Sequence, residues 1–295
     1  WLVLTSLLMT VMIRFTLGAL LSLYAFAAVA QTSPADSIAF VTAEWRVSDL
    51  GGGARCRYAQ VDMFGSRQSI SVVSYPRRGF ETRIVHLDRR AEAVSELGRA
   101  AGADMAVNGS YFDVRTFEPV TFVSVDRKIV GRTTPRELVR TNGVVAFKDK
   151  KGRKMDIFFC DTSEYRQVAR RYRSVLAAGP VLIDSGRIVE YDSDKTFYTG
   201  RHPRTLIGKR ADGEVVMAVI DGRFRGEGEG ATIAETAYIA RLLGLVEALN
   251  LDGGGSSTLW TARKGVLNHP YDNHRFDHAG ERAVPNCIVV RSKKR

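Results

Sequence analysis

Residues 204–258 read RTLIGKRADGEVVMAVIDGRFRGEGEGATIAETAYIARLLGLVEALNLDGGGSST, and the order of signals in this stretch decides the fold class. Two apolar runs, Thr205–Lys209 and Val215–Ile220, flank the turn residues Ala211-Asp212-Gly213, a pattern that predicts a hairpin. A pivot near Asp212 sets Arg204 opposite Ile220. A loop rich in glycine and glutamate follows at 224–230. A helix is then predicted over 233–243, with Thr232 as its cap and Gly244 as its stop. The next strand, Val246–Leu251, delivers Asp252-Gly253-Gly254-Gly255-Ser256-Ser257-Thr258. A strand–helix–strand of this length fits a crossover between parallel strands. Asp221 and Asp252 then share one rim of the sheet with Arg204 and Thr205, the rim where α/β sheets hold ligands.

Upstream, Arg83–Leu87 reads as a strand, and Asp88 can cap a helix over 89–101. Its apolar positions Ala93, Val94, Leu97, Ala100 and Ala101 follow helical spacing, and Gly102 supplies the stop. The short strand Met105–Val107 then brings Asn108-Gly109 to its end. Hairpins are expected around Asp126-Arg127 and around Asp184-Ser185-Gly186. The expected fold class is α+β or mixed α/β: mixed sheets with packed helices, in a chain long enough for one large domain or two small ones.

The first thirty residues read as export machinery. A basic start at Met12–Arg14 leads into the apolar run Phe15–Ala27, which closes on the small-residue pattern Ala28-Val29-Ala30. Residues 1–30 are therefore expected to be a signal peptide, with 1–11 an upstream over-extension and Gln31 the mature start. An uncleaved anchor is the competing reading. With no cysteine at the cleavage point, lipid attachment is not expected. Residues 31–40 read as a linker and 41–295 as the folded mature domain. A periplasmic or secreted protein follows, with no stable membrane insertion once the signal is cleaved.

The net charge of +11 suits an anionic partner such as a phosphate-bearing glycan, an acidic envelope or nucleic acid. Export argues against nucleic acid. The three cysteines, Cys56, Cys160 and Cys287, fit no zinc spacing and no thiol catalysis; one disulfide, in any of three pairings, is compatible with an oxidising compartment.

The Asp252 loop carries the strongest chemical signal. Its glycines let backbone N–H groups approach a ligand, and Ser256 and Ser257 add hydroxyl donors. It is no Walker loop, because no Gly-Lys-Ser/Thr follows. Each of the other elements has a plain structural reading beside the functional one. Asn108-Gly109 can be a tight turn, Arg204 a surface ion pair, and Asp221-Gly222 a strand-ending turn. Thr232-Ile233-Ala234-Glu235 spells a capping box that by itself accounts for Glu235. His269, His274 and His278 lie in a polar segment read as a solvated loop rather than a metal site.

Taken together, five segments carry more. Asn108–Asp113 (NGSYFD), Ala178–Ile183 (AGPVLI), His202–Gly208 (HPRTLIG), Val219–Arg223 (VIDGR) and Ala248–Ser257 (ALNLDGGGSS) occur in that order, and Arg282–Asn286 (RAVPN) closes the series. The set, spanning about Arg83 to Val290, resembles the phosphodiester glycosidase family in its bacterial single-domain form. That resemblance implies an exported hydrolase cleaving the sugar–phosphate bond of a sugar 1-phosphodiester. It carries over the positions Asn108, Asp221, Glu235 and Asp252, which the residue chemistry reads as catalytic, and Gly109, Arg204, Thr205, Arg223, Gly253, Gly254, Ser256 and Ser257, which it reads as holding substrate or phosphate.

An oxocarbenium-like transition state calls for a carboxylate and an activated water, or two carboxylates. Asp252 or Asp221 would serve as base or cation stabiliser, Asn108 would orient sugar or water, and Arg204 would hold the leaving phosphate. No cofactor is expected. A divalent cation on Asp221, Asp252 and Glu235 is the lesser reading, and a non-catalytic module binding envelope phosphoglycans is the alternative to an enzyme.

Overall fold

The hairpin at Arg204–Arg210 and Val215–Ile220 forms in the expected register, with Arg204 opposite Ile220. The computed structural model describes residues 33–149, 152 and 154–293. The expected signal peptide at 1–30 lies outside the described residues. Where a linker was expected, Pro34–Thr42 is instead a helix. Ser33 caps it by accepting from the Asp36 N–H, the Asp36 carboxylate accepts from Ser33 in return, and Phe40 is buried.

Strands dominate and helices are few. They form one eight-stranded and two five-stranded sheets, and every strand pair among the described residues is antiparallel. The expected mixed sheets are thus antiparallel ones. Val215–Ile220 and Leu245–Asn250 do run the same way across the helix Ile233–Leu242, but Arg204–Arg210 lies between them and pairs with both. The crossover joins strands that share a direction without touching, so Asp221 and Asp252 still leave the sheet at one end.

Side-chain alternation explains the layers. Val216, Ala218, Ile220 and Leu206 face one way and pack on Ile233, Ala237 and Ile239 of the helix. Val215, Met217, Val219 and Ile207 face the other way, into a core completed by Met105, Val107, Ile288, Val145 and Leu176 of the five-stranded sheets. A strand buried on both faces needs an unbroken apolar run, which Val215–Ile220 supplies. The outer faces of the smaller sheets are covered in turn. The helix Tyr165–Arg171 covers Val144, Ala146 and Val175, and the helix Val94–Ala100 covers Ala106, Trp260 and Cys287.

That last helix is shorter than the 89–101 expected. Leu87 donates to Pro285, and Glu92 exchanges hydrogen bonds with Val284, so the backbone of the anticipated first turns is already engaged. Ala93 takes the cap position in place of Asp88. All three cysteines are buried free thiols, which removes the disulfide.

Candidate active site

The site lies where the eight-stranded sheet meets the sheet containing Met105–Asn108 and Asn286–Ser292. Asn108 ties the two together. Its side-chain N–H donates to the Asp252 carbonyl (2.7 Å), and its Oδ1 accepts from the Thr205 hydroxyl (3.0 Å) and the Thr258 N–H (3.1 Å). The Asp252 N–H donates to the Gly109 carbonyl (3.0 Å). Asn108 and Thr205 are therefore wholly enclosed, and both act by placing Asp252 and its loop. Gly109 is there for space, because a Cβ would fall 2.0 Å from Asn286 Oδ1.

The Asp252 carboxylate accepts from the Gly253 N–H (2.9 Å). Burial holds its pKa above the ordinary aspartate value. The nearby Ser256 hydroxyl, the charges of Arg140 and Arg282, and the Gly253 N–H oppose that rise without overcoming it. Ser256 is close to the carboxylate yet outside hydrogen-bond geometry, and the hydroxyls of Ser256, Ser257 and Thr258 are buried with no partner among the described residues. Enclosed hydroxyls of this kind are left for buried water to satisfy.

Cations surround this loop. Asp272 and Arg282 form a two-bonded ion pair (2.8 Å each) pressed against Gly255, where a Cβ would fall 2.0 Å from Asp272. The Arg223 guanidinium lies over Tyr271, 5.0 Å from the ring centre, and beside Gly254. Arg140 stacks 4.0 Å from the Tyr111 ring centre, near enough to act on Asp252.

Arg204, expected to grip phosphate, does something else. It is 2% exposed, and it donates to the carbonyls of Ala231 (2.8 Å), Phe197 (2.8 Å) and Gly200 (3.0 Å). Burial lowers its pKa to about 10. The guanidinium fork clamps the loops before and after the hairpin, which leaves Arg223, Arg140 and Arg282 beside the Gly-Ser loop. Glu235 is likewise committed: one oxygen accepts from the Thr232 N–H (2.9 Å) as the capping box requires, and the other from Arg201 (2.7 Å). Both oxygens of this expected acid are thus taken up by the helix cap and the ion pair.

Asp221 is 1% exposed and holds four donors. Ser69 (2.6 Å) and His269 Nδ1 (2.9 Å) reach Oδ2; the Asn268 side chain (3.1 Å) and the His269 N–H (2.9 Å) reach Oδ1. The segment expected to be a solvated loop is therefore anchored on the site. Nothing local in the sequence announces this, because the partners are separated by 48 residues and lie in irregular chain. His274 and His278 are exposed. Among the described residues no three His, Cys, Asp or Glu side chains converge to share an ion, so Asp221, Asp252 and Glu235 do not make a ligand set.

The sequence pattern of the phosphodiester glycosidase family matches residues 101–291, from the residue after the helix Val94–Ala100 to within the last strand, Asn286–Ser292. The chain belongs to the phosphodiester glycosidase family. The chain is 25% identical to mouse N-acetylglucosamine-1-phosphodiester alpha-N-acetylglucosaminidase and 27% identical to the human protein, in each case over 201 residues. Those matches take in 64% of this chain and 37% of each relative, so the chain spans little more than a third of their length. An uncharacterised prophage-derived protein of Bacillus subtilis, YomE, is 37% identical over 91 residues, 30% of this chain and 13% of its own. Among solved structures, the zebrafish N-acetylglucosamine-1-phosphodiester alpha-N-acetylglucosaminidase catalytic domain, auto-inhibited by its pro-peptide, superposes with a TM-score of 0.64 at 18% identity, covering 85% of this chain and 88% of that one. A hypothetical protein from Synechocystis does so with a TM-score of 0.63 at 17% identity, covering 84% and 64%. These two likenesses speak to the fold alone.

Proposed function

We propose that this member of the family is an exported hydrolase that breaks the bond between a sugar C1 and the phosphate of a sugar 1-phosphodiester in a phosphate-bearing glycan. The supporting observation is Asp252: a carboxylate that burial disfavours as an anion, beside unpartnered hydroxyls and ringed by arginines. A desolvated carboxylate gains most when a positive charge develops next to it, as it does at C1 in an oxocarbenium-like transition state. The leaving phosphate is already a weak base, so it needs its charge met more than it needs a proton. Arg223, with Ser256, Ser257 and the Gly253 and Gly254 backbone, is at hand for that, while Arg140 and Arg282 contribute charge as members of ion pairs with Glu137 and Asp272. Asn108 and Thr205 position, and Arg204 and Glu235 brace the loops around the site.

N-acetylglucosamine 1-phosphodiesters are the first substrates to try, since that sugar appears in the names of the mammalian relatives. The test is sugar release from a panel of sugar 1-phosphodiesters in isotopically labelled water. Turnover with label in the sugar is expected, together with a loss of about 100-fold or more in Asp252→Asn. Label in the phosphate would mean P–O cleavage. Saturable binding without turnover would favour a phosphoglycan-binding module. Export, proposed from the Ala28-Val29-Ala30 pattern, is checked by whether the secreted chain begins at Gln31.

A further inference from the structure

The geometry points to His269 as the base that takes the proton of the attacking water, oriented and charge-balanced by Asp221. This assignment rests on the hydrolase reading above and supplies the step that reading leaves open.

Asp221 cannot itself reach a substrate. Its carboxylate is enclosed, and four donors occupy it. Two of the four come from one residue, since the backbone N–H and Nδ1 of His269 each lie 2.9 Å from it. An ionised carboxylate only accepts, so Nδ1 carries a proton and the lone pair of the neutral ring is at Nε2. No described residue bonds Nε2, and the atom is not among the buried polar atoms that lack a partner, so it opens to solvent.

The ring cannot swing away. Phe276 stacks on it at 3.7 Å and 11°, His278 lies at 4.6 Å, and Tyr58 at 5.7 Å. The residue before it is stitched to the Gly-Ser loop: Asn268 donates to the Ser257 carbonyl (3.0 Å) and accepts from the Leu259 N–H (2.8 Å). Phe276 in turn meets Phe224, which meets Tyr271, the ring under Arg223. His269 is thus held by the walls of the Asp252 site, with one nitrogen fixed and the other available. An imidazole that packing alone required would not need a buried anion on its inner nitrogen, since a backbone carbonyl suffices, as it does for His278.

In the step, the water oxygen bonds to C1 as the C1–O bond breaks, and the bonding pair leaves on the phosphate oxygen. One water proton passes to Nε2, Asp221 balances the imidazolium, and the proton then returns to solvent. The products are the free sugar and a phosphomonoester. The titratable and charged groups facing the ring are Asp221 from the strand Val215–Ile220, Tyr58 from the strand Ala54–Met63 and His278 from its own loop. Arg46 lies over Tyr58, and Glu227 acts on that phenol from the glycine-rich loop.

His269→Asn is the informative variant, because the asparagine N–H can keep the bond to Asp221 while the titrating nitrogen is lost. Expected is a fall in kcat of about 100- to 10,000-fold with KM little changed, and loss of one limb of the pH–rate profile seen in the parent. Asp221→Asn, which offers the ring a donor and so favours the other tautomer, should show the same loss. Parent turnover with kcat and the pH limb retained in His269→Asn overturns the proposal alone. Absence of parent turnover on any sugar 1-phosphodiester overturns the hydrolase reading, and the proposal with it. If His269→Asn fails to fold, nitrogen-15 NMR of the parent ring decides: a proton on Nδ1 and a lone pair on Nε2 in the neutral form is expected, and the reverse overturns the assignment.

Discussion

Replacing Asp252 by asparagine removes a charge from a carboxyl that burial holds above the ordinary aspartate range. As pH rises past about 3.9, the unfolded chain ionises this group more readily than the folded one does, so the folded state loses stability through that window. Asp252→Asn should therefore unfold at a higher temperature than the parent near neutral pH, and the gap should close below about pH 4. Thermal midpoints at the two pH values check it; equal midpoints at neutral pH would mean the carboxylate is well solvated. At this scale the sequence was half legible. Asn108 and Asp252 stand in motifs, and the structure places them together. The position of Arg204 was also readable, but its task was not, because three carbonyls on loops distant in sequence use up its fork. His269 had no local signal at all.

Local rules governed the elements wherever local chemistry was sufficient. The turn at Ala211-Asp212-Gly213 fixed the register of its hairpin, and the Thr232–Glu235 box fixed the start of its helix. Thr232→Ala removes the hydroxyl that accepts from the Glu235 N–H (3.1 Å), and should cost about 1 kcal/mol in urea unfolding with an unchanged m-value. A loss near zero would show that Arg201 alone holds Glu235 in place. Where a distant segment competes, the local reading overran: the 89–101 helix pattern gave up its first turns to pairing with 284–285.

At the scale of the whole described chain, residues 33–293, three antiparallel sheets enclose one central core, and the described helices lie outside them. This arrangement was not readable from periodicity, which reports which face is apolar but not which sheet it meets. Burial raises the pKa of all three thiols, that of Cys160 to about 12. A thiol reagent should find none of them in the native protein and three per chain in denaturant; one per chain in denaturant would reveal a disulfide.

The strand Asn286–Ser292 pairs on one side with Phe80–His86 and on the other with Met105–Asn108. During synthesis those two early strands have no partner on their facing edges until the ribosome has made residues 286–292. Asn286, which accepts from the Ser110 N–H (2.7 Å) beside Asn108, arrives with that same strand. Closure of this sheet is a late event dominated by contacts far apart in the chain, and such contacts form slowly. A chain threaded through a membrane in the unfolded state would keep this gap open for the whole passage. The surroundings of Asn108 would then be completed only on the far side, when the last strand slides into place.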